Sequence, residues 1–271
     1  MLGFKTVGNA TIAAFDGKSI LATDPWLGND DDAYFGSWQL SHNIPKIELD
    51  EILDSKYIWF SHGHPDHLNP KSSKLFFNKH IILPNHAGSR ISEYFVNKKA
   101  KVTVLQTGIW MQLSKNIKIM NIPNAEQDCI LLIDINGRLL VDINDSSYQF
   151  CQRFLTHIIS QYKTSYLLML SGYGDADMIN FYREDGSFIE PPASLKYPPG
   201  YDLSRAAKAL GIGNVIPFSC FHEYKRSDSV WANKYAVKNL EDFTRGLDND
   251  LIALPAFSCV DCTDDTFVKI S

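Results

Sequence analysis

The chain has 271 residues, of which 45% are hydrophobic, and its formal net charge is −5. This length and apolar content can form one large α/β core, and no change in composition marks a hinge, so we predict a single domain over residues 1–271. The acidic balance lacks the basic surface that duplex nucleic acid requires, which makes duplex binding unlikely to be the function. The amino-terminal stretch lacks the pattern of a secretory leader, and no apolar run is long enough to span a bilayer, so the sequence predicts a cytoplasmic protein without a membrane partner.

The first part of the chain has the pattern of β-strands. Two β-rich runs, KTVGNATIAAF and KSILATDPWL, are joined by Asp16-Gly17, a dipeptide typical of a tight hairpin turn. The short apolar run YIWFS at 57–61 predicts a buried strand. Asn69 and Pro70 then have the features of an N-cap and a first helical residue, which predicts a short helix before the strand HIILP.

The middle of the chain continues with strand patterns and then changes period. The strand candidates are KVTVLQ, KIMNIP, CILLIDI and RLLVDIN, and Asn136-Gly137 predicts a hairpin between the last two. Residues 148–163 have apolar positions three and four apart, which is typical of an amphipathic helix, and 165–170 has the pattern of a buried strand.

The last third combines a long irregular segment with a helix and a strand. Residues 171–200 have little periodicity, and a loop of that length in a compact domain commonly serves a site. A helix is predicted over 202–211, ending at Gly211, and a strand over 214–219. The order of elements predicts an α/β protein with two packed sheets and helices outside them.

Four residues that can bind metal lie within six positions of the segment FSHGHPDHLNP, namely His62, His64, Asp66 and His67. They follow a predicted strand, where α/β folds commonly present reactive side chains. Imidazole and carboxylate are favoured ligands of Zn, Fe and Mn. His62 and His64 can bind one ion, while Asp66 and His67 can face a second. The alternative is a polar surface loop with an excess of histidine, which four potential ligands in six positions make the weaker interpretation.

The segment SHGHPDH resembles the H-x-H-x-D-H signature of the metallo-β-lactamase-fold superfamily, and ILATDPWL resembles the Asp-Pro turn that precedes the site in that superfamily. The stretches DPWL, SHGHPDHL, GIWMQLSKNIKIM, CILLIDINGRLLVDIND and IPFSCF are also similar, in that order, to the CMP-N-acetylneuraminate hydroxylase family. The superfamily resemblance implies a metallo-β-lactamase-like αββα sandwich, in which two packed mixed β-sheets carry helices on their outer faces. It also implies a site for two divalent metal ions.

The resemblance assigns roles to these four residues and to two others. His62 and His64 correspond to ligands of the first ion, and Asp66 and His67 to ligands of the second. Asp66 is also the catalytic candidate that holds the attacking water.

Two further ligands are implied later in the chain. Asp145 in LLVDINDSS corresponds to the carboxylate that bridges the ions, with Asp142 as the competing residue. His222, after a late strand, corresponds to the final histidine and is the second catalytic candidate. The alternative for His222 is a partly exposed loop histidine.

One position departs from the superfamily pattern. The third histidine motif should precede CILLIDI, but NIPNAEQDC contains no histidine and offers only Glu126 and Asp128 as ligands. If Glu126 binds the first ion, the site is richer in oxygen and suits Fe or Mn better than Zn. Otherwise the first ion binds weakly and the site is mononuclear, or Glu126 belongs to an ordinary acidic turn.

These residues predict a metal-dependent hydrolase, since two ions can activate water and neutralise charge on the attacked group. The alternative is a diiron oxygenase related to the hydroxylase family. No Cys-x-His pair of the Rieske type occurs in the sequence, so that reaction would require a separate reductase. A third alternative is a binding protein on a degenerate scaffold. The native metal, Zn or Fe/Mn, and self-association as a homo-oligomer are left open.

The substrate is expected to be an anionic small molecule: an ester, a phosphodiester, or a sugar- or nucleotide-linked compound. Arginine binds phosphate or carboxylate at two points, and aromatic rings stack on a base or sugar. The alternative is a solvated charged rim. The candidate contacts lie in the long loop and just after His222; they are Tyr173, Tyr182, Arg183, Tyr224, Lys225 and Arg226.

Overall fold

The computed structural model describes residues 1–28, 32–172, 182–189, 197–235 and 240–270. The strands before the central hairpin are β1 (Leu2–Val7), β2 (Thr11–Asp16), β3 (Lys18–Thr23), β4 (Trp38–Leu40), β5 (Tyr57–Trp59), β6 (His80–Leu83), β7 (Lys101–Val104), β8 (Met111–Gln112) and β9 (Ile117–Pro123). The later strands are β10 (Cys129–Ile135), β11 (Arg138–Asn144), β12 (Thr164–Leu170), β13 (Asn214–Phe218), β14 (His222–Tyr224), β15 (Ile252–Ala253), β16 (Ser258–Asp261) and β17 (Thr266–Lys269).

The α-helices in the described part of the chain have eight to eleven residues each. They are α1 (Lys46–Asp54), α2 (Arg90–Asn97), α3 (Gln152–Ile159) and α4 (Gly200–Leu210). Short 3-10 helices cover Tyr34–Gly36, Ser72–Phe76, Gln149–Cys151, Val230–Lys234 and Leu240–Thr244. Among the described residues, no helix combines the length and the apolar character needed to cross a membrane.

The strands form two large mixed sheets. The first has eight strands in the order β17-β16-β1-β2-β3-β5-β6-β7, and the second has seven in the order β15-β13-β12-β11-β10-β9-β8. The sheets pack face to face, because one buried apolar cluster draws on both, with Ile12 and Trp59 from the first sheet and Ile119 and Leu131 from the second. Burial of this interior is the main favourable contribution to folding.

Helices cover the outer face of each sheet. Ile52 of α1 and Phe95 of α2 are fully buried in the cluster on the outside of the first sheet. Leu155 of α3 and Leu203 of α4 bury their side chains against the second sheet, together with Leu167 of β12. The fold is therefore the α/β sandwich that the resemblance implied.

Local sequence signals fixed several boundaries. Gly17, at φ 74°, joins β2 to β3, and Asn136 and Gly137, both with positive φ, join β10 to β11, as hairpin turns of this kind require. Gly211, at φ 75°, ends α4 in the left-handed conformation that favours glycine. The predicted strands at 57–61 and 214–219 are found, each slightly shorter.

Two helix predictions were only partly right. The segment after Asn69 forms a 3-10 helix instead of an α-helix, although the Asn69 side chain accepts hydrogen bonds from the main-chain N–H of Lys71 and Ser72 as a cap would. The helix predicted over 148–163 is a 3-10 turn followed by the eight-residue α3. Most of the predicted loop over 171–200 lies outside the described residues.

The strand order brings the ends of distant segments together. In the first sheet β3, β5, β6 and β7 are parallel, and in the second β11, β12 and β13 are parallel. Loops that follow parallel strands emerge at one edge of a sheet, which is where α/β folds bind ligands. The histidine motif follows β5, Asp145 follows β11, and the segment leading to His222 follows β13.

Candidate metal centre

The histidine motif forms a compact turn immediately after β5. The main-chain oxygen of His64 accepts hydrogen bonds from the N–H groups of His67, at 3.0 Å, and Leu68, at 2.8 Å. His62, Asp66 and His67 are buried, and His64 is exposed. The turn therefore directs three ligand-capable side chains inward and leaves one at the surface.

The first group of ligand atoms comprises His62, His64 and Asp145. His62 Nε2 lies 2.9 Å from His64 Nδ1 and 3.8 Å from Asp145 Oδ2. One ligand atom from each of the three residues lies within 4.8 Å of the other two. These separations suit three ligands of a single ion, since metal–nitrogen and metal–oxygen bonds are about 2 Å long.

The second group comprises Asp66, His67 and the same Asp145. His67 Nε2 is 3.3 Å from Asp66 Oδ2 and 3.2 Å from Asp145 Oδ2. Asp145 thus belongs to both groups, as the bridging position requires. Its competitor Asp142 is buried beneath the site and belongs to neither group, and its Oδ1 has no hydrogen-bond partner within the described part of the chain. Burial raises the pKa of Asp142 well above its usual range.

Asp24 lies behind the second group and is fully buried. It accepts hydrogen bonds from Ser61 N at 2.7 Å, Ser61 Oγ at 2.6 Å and Asn144 Nδ2 at 3.0 Å. Its Oδ2 is also 3.2 Å from His67 Nδ1. A carboxylate on that nitrogen holds the imidazole with Nε2 directed at the ligand group.

The carboxylates of Asp66 and Asp145 accept hydrogen bonds from neutral donors. Tyr34 Oη donates to Asp66 Oδ1 at 2.9 Å, and Asn9 Nδ2 donates to Asp66 Oδ2 at 3.1 Å. Ser219 Oγ donates to Asp145 Oδ1 at 2.6 Å. These bonds fix the orientation of both carboxylates and leave oxygen lone pairs for an ion.

His222 is buried beside the second group. The short β14 pairs with β4, and this pairing stacks the His222 ring on Trp38 with ring centroids 3.6 Å apart and planes 6° apart. Burial lowers the pKa of His222 to about 4, although the charges of Asp66 and Asp145 act in the opposite direction. The ring is therefore neutral at pH 7, which is the form that binds metal. His222 is not a partly exposed loop histidine.

The two acidic candidates for the missing third imidazole occupy different environments. Glu126 is exposed and belongs to neither ligand group, while its main-chain N–H donates to Asn124 Oδ1. Asp128 Oδ1 lies 3.3 Å from His62 Nδ1, the ring nitrogen that faces away from the ligand group. Burial, followed by the charge of Asp145, raises the pKa of Asp128 to about 7. Asp128 is thus the acidic residue that contacts the site, through the far side of His62.

The charges of the second group depend strongly on one another. Burial opposes the charged form of His67, but the nearby carboxylates of Asp66 and Asp145 raise its pKa well above the usual range. Burial also opposes ionisation of Asp66, yet the charge of His67 holds the pKa of that carboxyl well below its usual range. Without a metal, a proton on His67 partly compensates the buried negative charge.

The described candidate substrate contacts belong to neither ligand group. Lys225 forms an ion pair with Asp32 at 3.2 Å, Arg226 pairs with Asp228 at 2.6 Å, and the Arg183 guanidinium bonds within its own turn to Ser187 Oγ and Phe188 O. Tyr224 is buried with its ring 5.7 Å from that of His222, and Tyr182 packs its exposed ring near Trp231. Tyr173 lies outside the described residues.

Comparison with solved structures identifies the fold. An isothiocyanate hydrolase from Delia radicum gut bacteria superposes with a TM-score of 0.59 and 12% identity, covering 93% of this chain and 95% of that one. The metallo-β-lactamase fold protein YhfI from Bacillus subtilis superposes with a TM-score of 0.50 and 13% identity, covering 92% and 88%. The chain has the metallo-β-lactamase fold. CmlA, a diiron β-hydroxylase from Streptomyces venezuelae, shares this metallo-β-lactamase fold over 99% of this chain and 54% of its own, with a TM-score of 0.55 and 11% identity.

Part of the chain is also similar in sequence to a known protein. The cytidine monophosphate-N-acetylneuraminic acid hydroxylase of Asterias rubens is 29% identical over 138 residues, which are 48% of this chain and 21% of that protein. The similarity therefore spans only about a fifth of the relative's length. No family model matches the chain.

The residues present could hold metal ions. Two groups of imidazole nitrogens and carboxylate oxygens converge on a shared Asp145, and buried hydrogen-bonding residues orient them. This mixed donor set suits Zn, Fe or Mn. A bound divalent ion supplies Lewis acidity and makes a water molecule a better nucleophile at neutral pH.

Several residues of the site were not identified from the sequence. Asp24 was noticed only as part of an Asp-Pro turn, although a carboxylate at the end of a buried strand was a usable signal. Asn9, Tyr34 and Ser219 carry no local signal, since each acquires its role only by contact with a distant segment.

Proposed function

We propose that the chain is a metal-dependent hydrolase with a dinuclear metal site that acts on an anionic small molecule. The observation that supports this most directly is that Asp145 is shared by two groups of ligand-capable atoms. A carboxylate between two metal ions is suited to fix their separation. Two metal ions held in this way can orient water on one side and neutralise the charge of an attacked oxygen on the other.

In this proposal the ligands divide between two ions. His62, His64 and Asp145 hold the first ion, and Asp66, His67 and Asp145 hold the second. His222, which is neutral and buried next to the second group, completes the second set. Asp24 acts as a positioning residue for His67 through its 3.2 Å contact with Nδ1.

Asp66 is the residue we assign to the attacking water. Its carboxylate is ionised in the folded chain, because the charge of His67 outweighs the effect of burial on the pKa. Tyr34 and Asn9 each donate to one of its oxygens, so its orientation is defined before a substrate binds. A fixed, ionised carboxylate can accept a hydrogen bond from water and orient it for attack.

The experiment combines metal analysis with an anaerobic assay. Protein purified without added metal should contain up to two transition-metal ions per chain by inductively coupled plasma mass spectrometry. After loading with Zn or Mn, it should hydrolyse bis(p-nitrophenyl) phosphate or a related activated ester without dioxygen. Absence of bound metal under all loading conditions would contradict the proposal and favour a binding protein.

A diiron oxygenase is the second candidate, and one observation favours it. No imidazole occupies the third-motif segment, and the acidic residue nearest to His62 there is Asp128. Carboxylate-rich surroundings suit iron better than zinc. The likeness to a sialic-acid hydroxylase and the shared fold with a diiron β-hydroxylase are consistent with this candidate.

The two candidates differ in their requirement for dioxygen. An oxygenase needs iron, a reductant and a separate electron donor, and its product should carry ¹⁸O from labelled oxygen gas. A hydrolase should incorporate ¹⁸O only from labelled water. Turnover that depends on oxygen gas would replace the hydrolase assignment with the oxygenase.

A further inference from the structure

A cavity of about 640 Å³ opens beside the histidine motif. This volume lies in the range of pockets that bind small organic ligands. Its walls come from the end of β6, the connection to α2, the first turn of α2, Val104 of β7, and Gly63 and Gln127. None of the residues that were predicted to contact substrate line it.

The topology explains why the cavity adjoins the metal centre. β5 and β6 are adjacent parallel strands, with Trp59 opposite Ile82, so the segments that follow them leave the sheet side by side. The segment after β5 carries the ligands, and the segment after β6 forms the cavity wall. Gly63, which lies between His62 and His64, meets the wall directly, since a Cβ added there would lie 3.7 Å from Ile91 Cδ1.

One exposed cationic side chain lines the cavity. Arg90, at the start of α2, is the only charged residue among those that line it, and no carboxylate in the described parts of the chain pairs with Arg90. This contrasts with Lys225 and Arg226, whose charges are met by Asp32 and Asp228. A guanidinium that no carboxylate neutralises, beside otherwise uncharged residues, favours the binding of an oxyanion.

A second polar group lines the same cavity and connects it to the metal centre. His86 lies against the main chain of Asp128, and its ring nitrogen Nε2 is buried with no hydrogen-bond partner in the described ranges. The Asp128 side chain also lies 3.3 Å from His62, so one residue is adjacent to both His86 and a candidate ligand. Leu83, Ile91 and Val104 supply apolar surface beside these polar groups.

We propose that this cavity binds the substrate, that Arg90 and His86 bind its oxyanion, and that the apolar wall contacts its organic body. The proposal rests on the function proposed above and identifies the substrate class as an organic oxyanion, such as a phosphate ester. Arg90 and His86 are then the residues that determine specificity at this site, in place of the cations that follow His222.

The test is calorimetric titration of the zinc-loaded full chain with phenyl phosphate and, separately, with inorganic phosphate. The apolar wall should make phenyl phosphate bind at least fivefold more tightly than inorganic phosphate. Arg90→Ala should weaken phenyl phosphate binding at least tenfold, and Ile91→Trp should weaken phenyl phosphate while leaving inorganic phosphate unchanged. The matched control Arg205→Ala, an exposed arginine on α4 paired with Asp202, should bind both probes like the wild type.

The outcomes separate this proposal from the proposed function. Equal binding of both probes by the wild type, Arg90→Ala and Ile91→Trp would show that anions bind at the metals alone and would overturn the cavity assignment. A stronger effect of Arg226→Ala than of Arg90→Ala would also overturn it. Arg90-dependent binding without any hydrolysis would support the cavity assignment and contradict the hydrolase.

Discussion

Asp24 Oδ2 lies 3.2 Å from His67 Nδ1, and both side chains are fully buried. The contact joins the end of β3 to the turn after β5, 43 residues later in the chain. Because Asp24 also accepts two hydrogen bonds from Ser61, it fixes both the start of the histidine motif and the ring of His67. One buried carboxylate thus couples the packing of the first sheet to the geometry of the candidate metal centre.

Asp24→Asn should weaken metal binding without removing a ligand. The amide retains the shape but loses the charge and one acceptor, so His67 is held less firmly, and loss of such a partner typically costs about 10–100-fold in metal affinity. Chelator competition on the zinc-loaded protein measures the change. Asp50→Asn, at an exposed position of α1, is the control. Equal affinity in the wild type and Asp24→Asn would remove the positioning role.

Replacement of single histidines tests the ligand groups themselves. His64→Ala or His67→Ala should remove at least one ion and abolish activity, while far-ultraviolet circular dichroism stays near that of the wild type. His157→Ala changes an exposed histidine on α3 and should alter neither property. Full metal content and activity in either ligand variant would refute the assignment of that residue.

Asp128 and Glu126 are the two candidates to replace the missing histidine of the third motif. Asp128→Ala removes the carboxylate that lies 3.3 Å from His62 Nδ1, so we expect a lower occupancy of the first ion. Glu126→Ala changes an exposed side chain and should leave the metal content unaltered, with the free energy of unfolding changed by at most about 0.5 kcal/mol. Mass-spectrometric metal stoichiometry distinguishes the residues. The opposite result would restore Glu126 as the replacement ligand.

Metal uptake at the second group should release protons. The pKa of His67 is raised well above its usual range, so the metal-free protein carries a proton there at pH 7, and an ion can bind only the neutral ring. Asp66 has a lowered pKa and contributes no proton. We expect release of about one proton per ion bound at His67, and an affinity that falls as the pH falls. Calorimetry in buffers of different ionisation enthalpy measures the release, and a value of zero would contradict the charge assignment.

A stability test away from the site uses Lys5. Burial disfavours its charged form, but hydrogen bonds to Glu51, at 2.6 Å, and Glu48, at 2.9 Å, raise the pKa of Lys5 above 10.5. Lys5→Met should therefore lower the free energy of unfolding by about 1–3 kcal/mol. The control Lys46→Met removes an exposed pair with Asp50 and should cost about 0.5 kcal/mol or less.

The pH dependence of the Lys5 effect has a definite sign. A raised pKa in the folded state means that the contribution is fully present below pH 10.5, the ordinary value, and is lost as the pH rises through the folded value. The difference in unfolding free energy between wild type and Lys5→Met should therefore shrink above pH 10.5. A difference that stays constant from pH 8 to the alkaline limit of folding would indicate that Lys5 acts by packing.

Local sequence determined the parts of this protein that depend on short-range chemistry. The turns at Gly17 and Asn136-Gly137 follow from residues that tolerate positive φ. CILLIDI predicts the buried strand β10 because six of its seven residues are apolar. The histidine motif marked the candidate site because its ligand-type residues are only a few positions apart. In each case the determining atoms lie within a few residues along the chain.

Only the tertiary structure decided which distant residues meet that motif. The structure distinguishes Asp145 from Asp142. The strand pairing shifts register after Asp142, and the chain that follows places Asp145 beside His62 and His67, while Asp142 stays in the core. Asp128 could be distinguished from Glu126 only by their burial and distance from His62. Side chains on one short segment differ in direction, and a sequence pattern does not record which of them faces another sheet.

The cavity beside the motif is the clearest case of this division. His86 belongs to a connection and Arg90 to a helix start, neither with a recognisable motif, and both line the cavity beside the motif because β6 pairs in parallel with β5. The sequence determined four of the candidate ligands, His62, His64, Asp66 and His67, since these lie within one turn. The packing of parallel strands determined the surroundings of the site, because it joins segments that are separate along the chain.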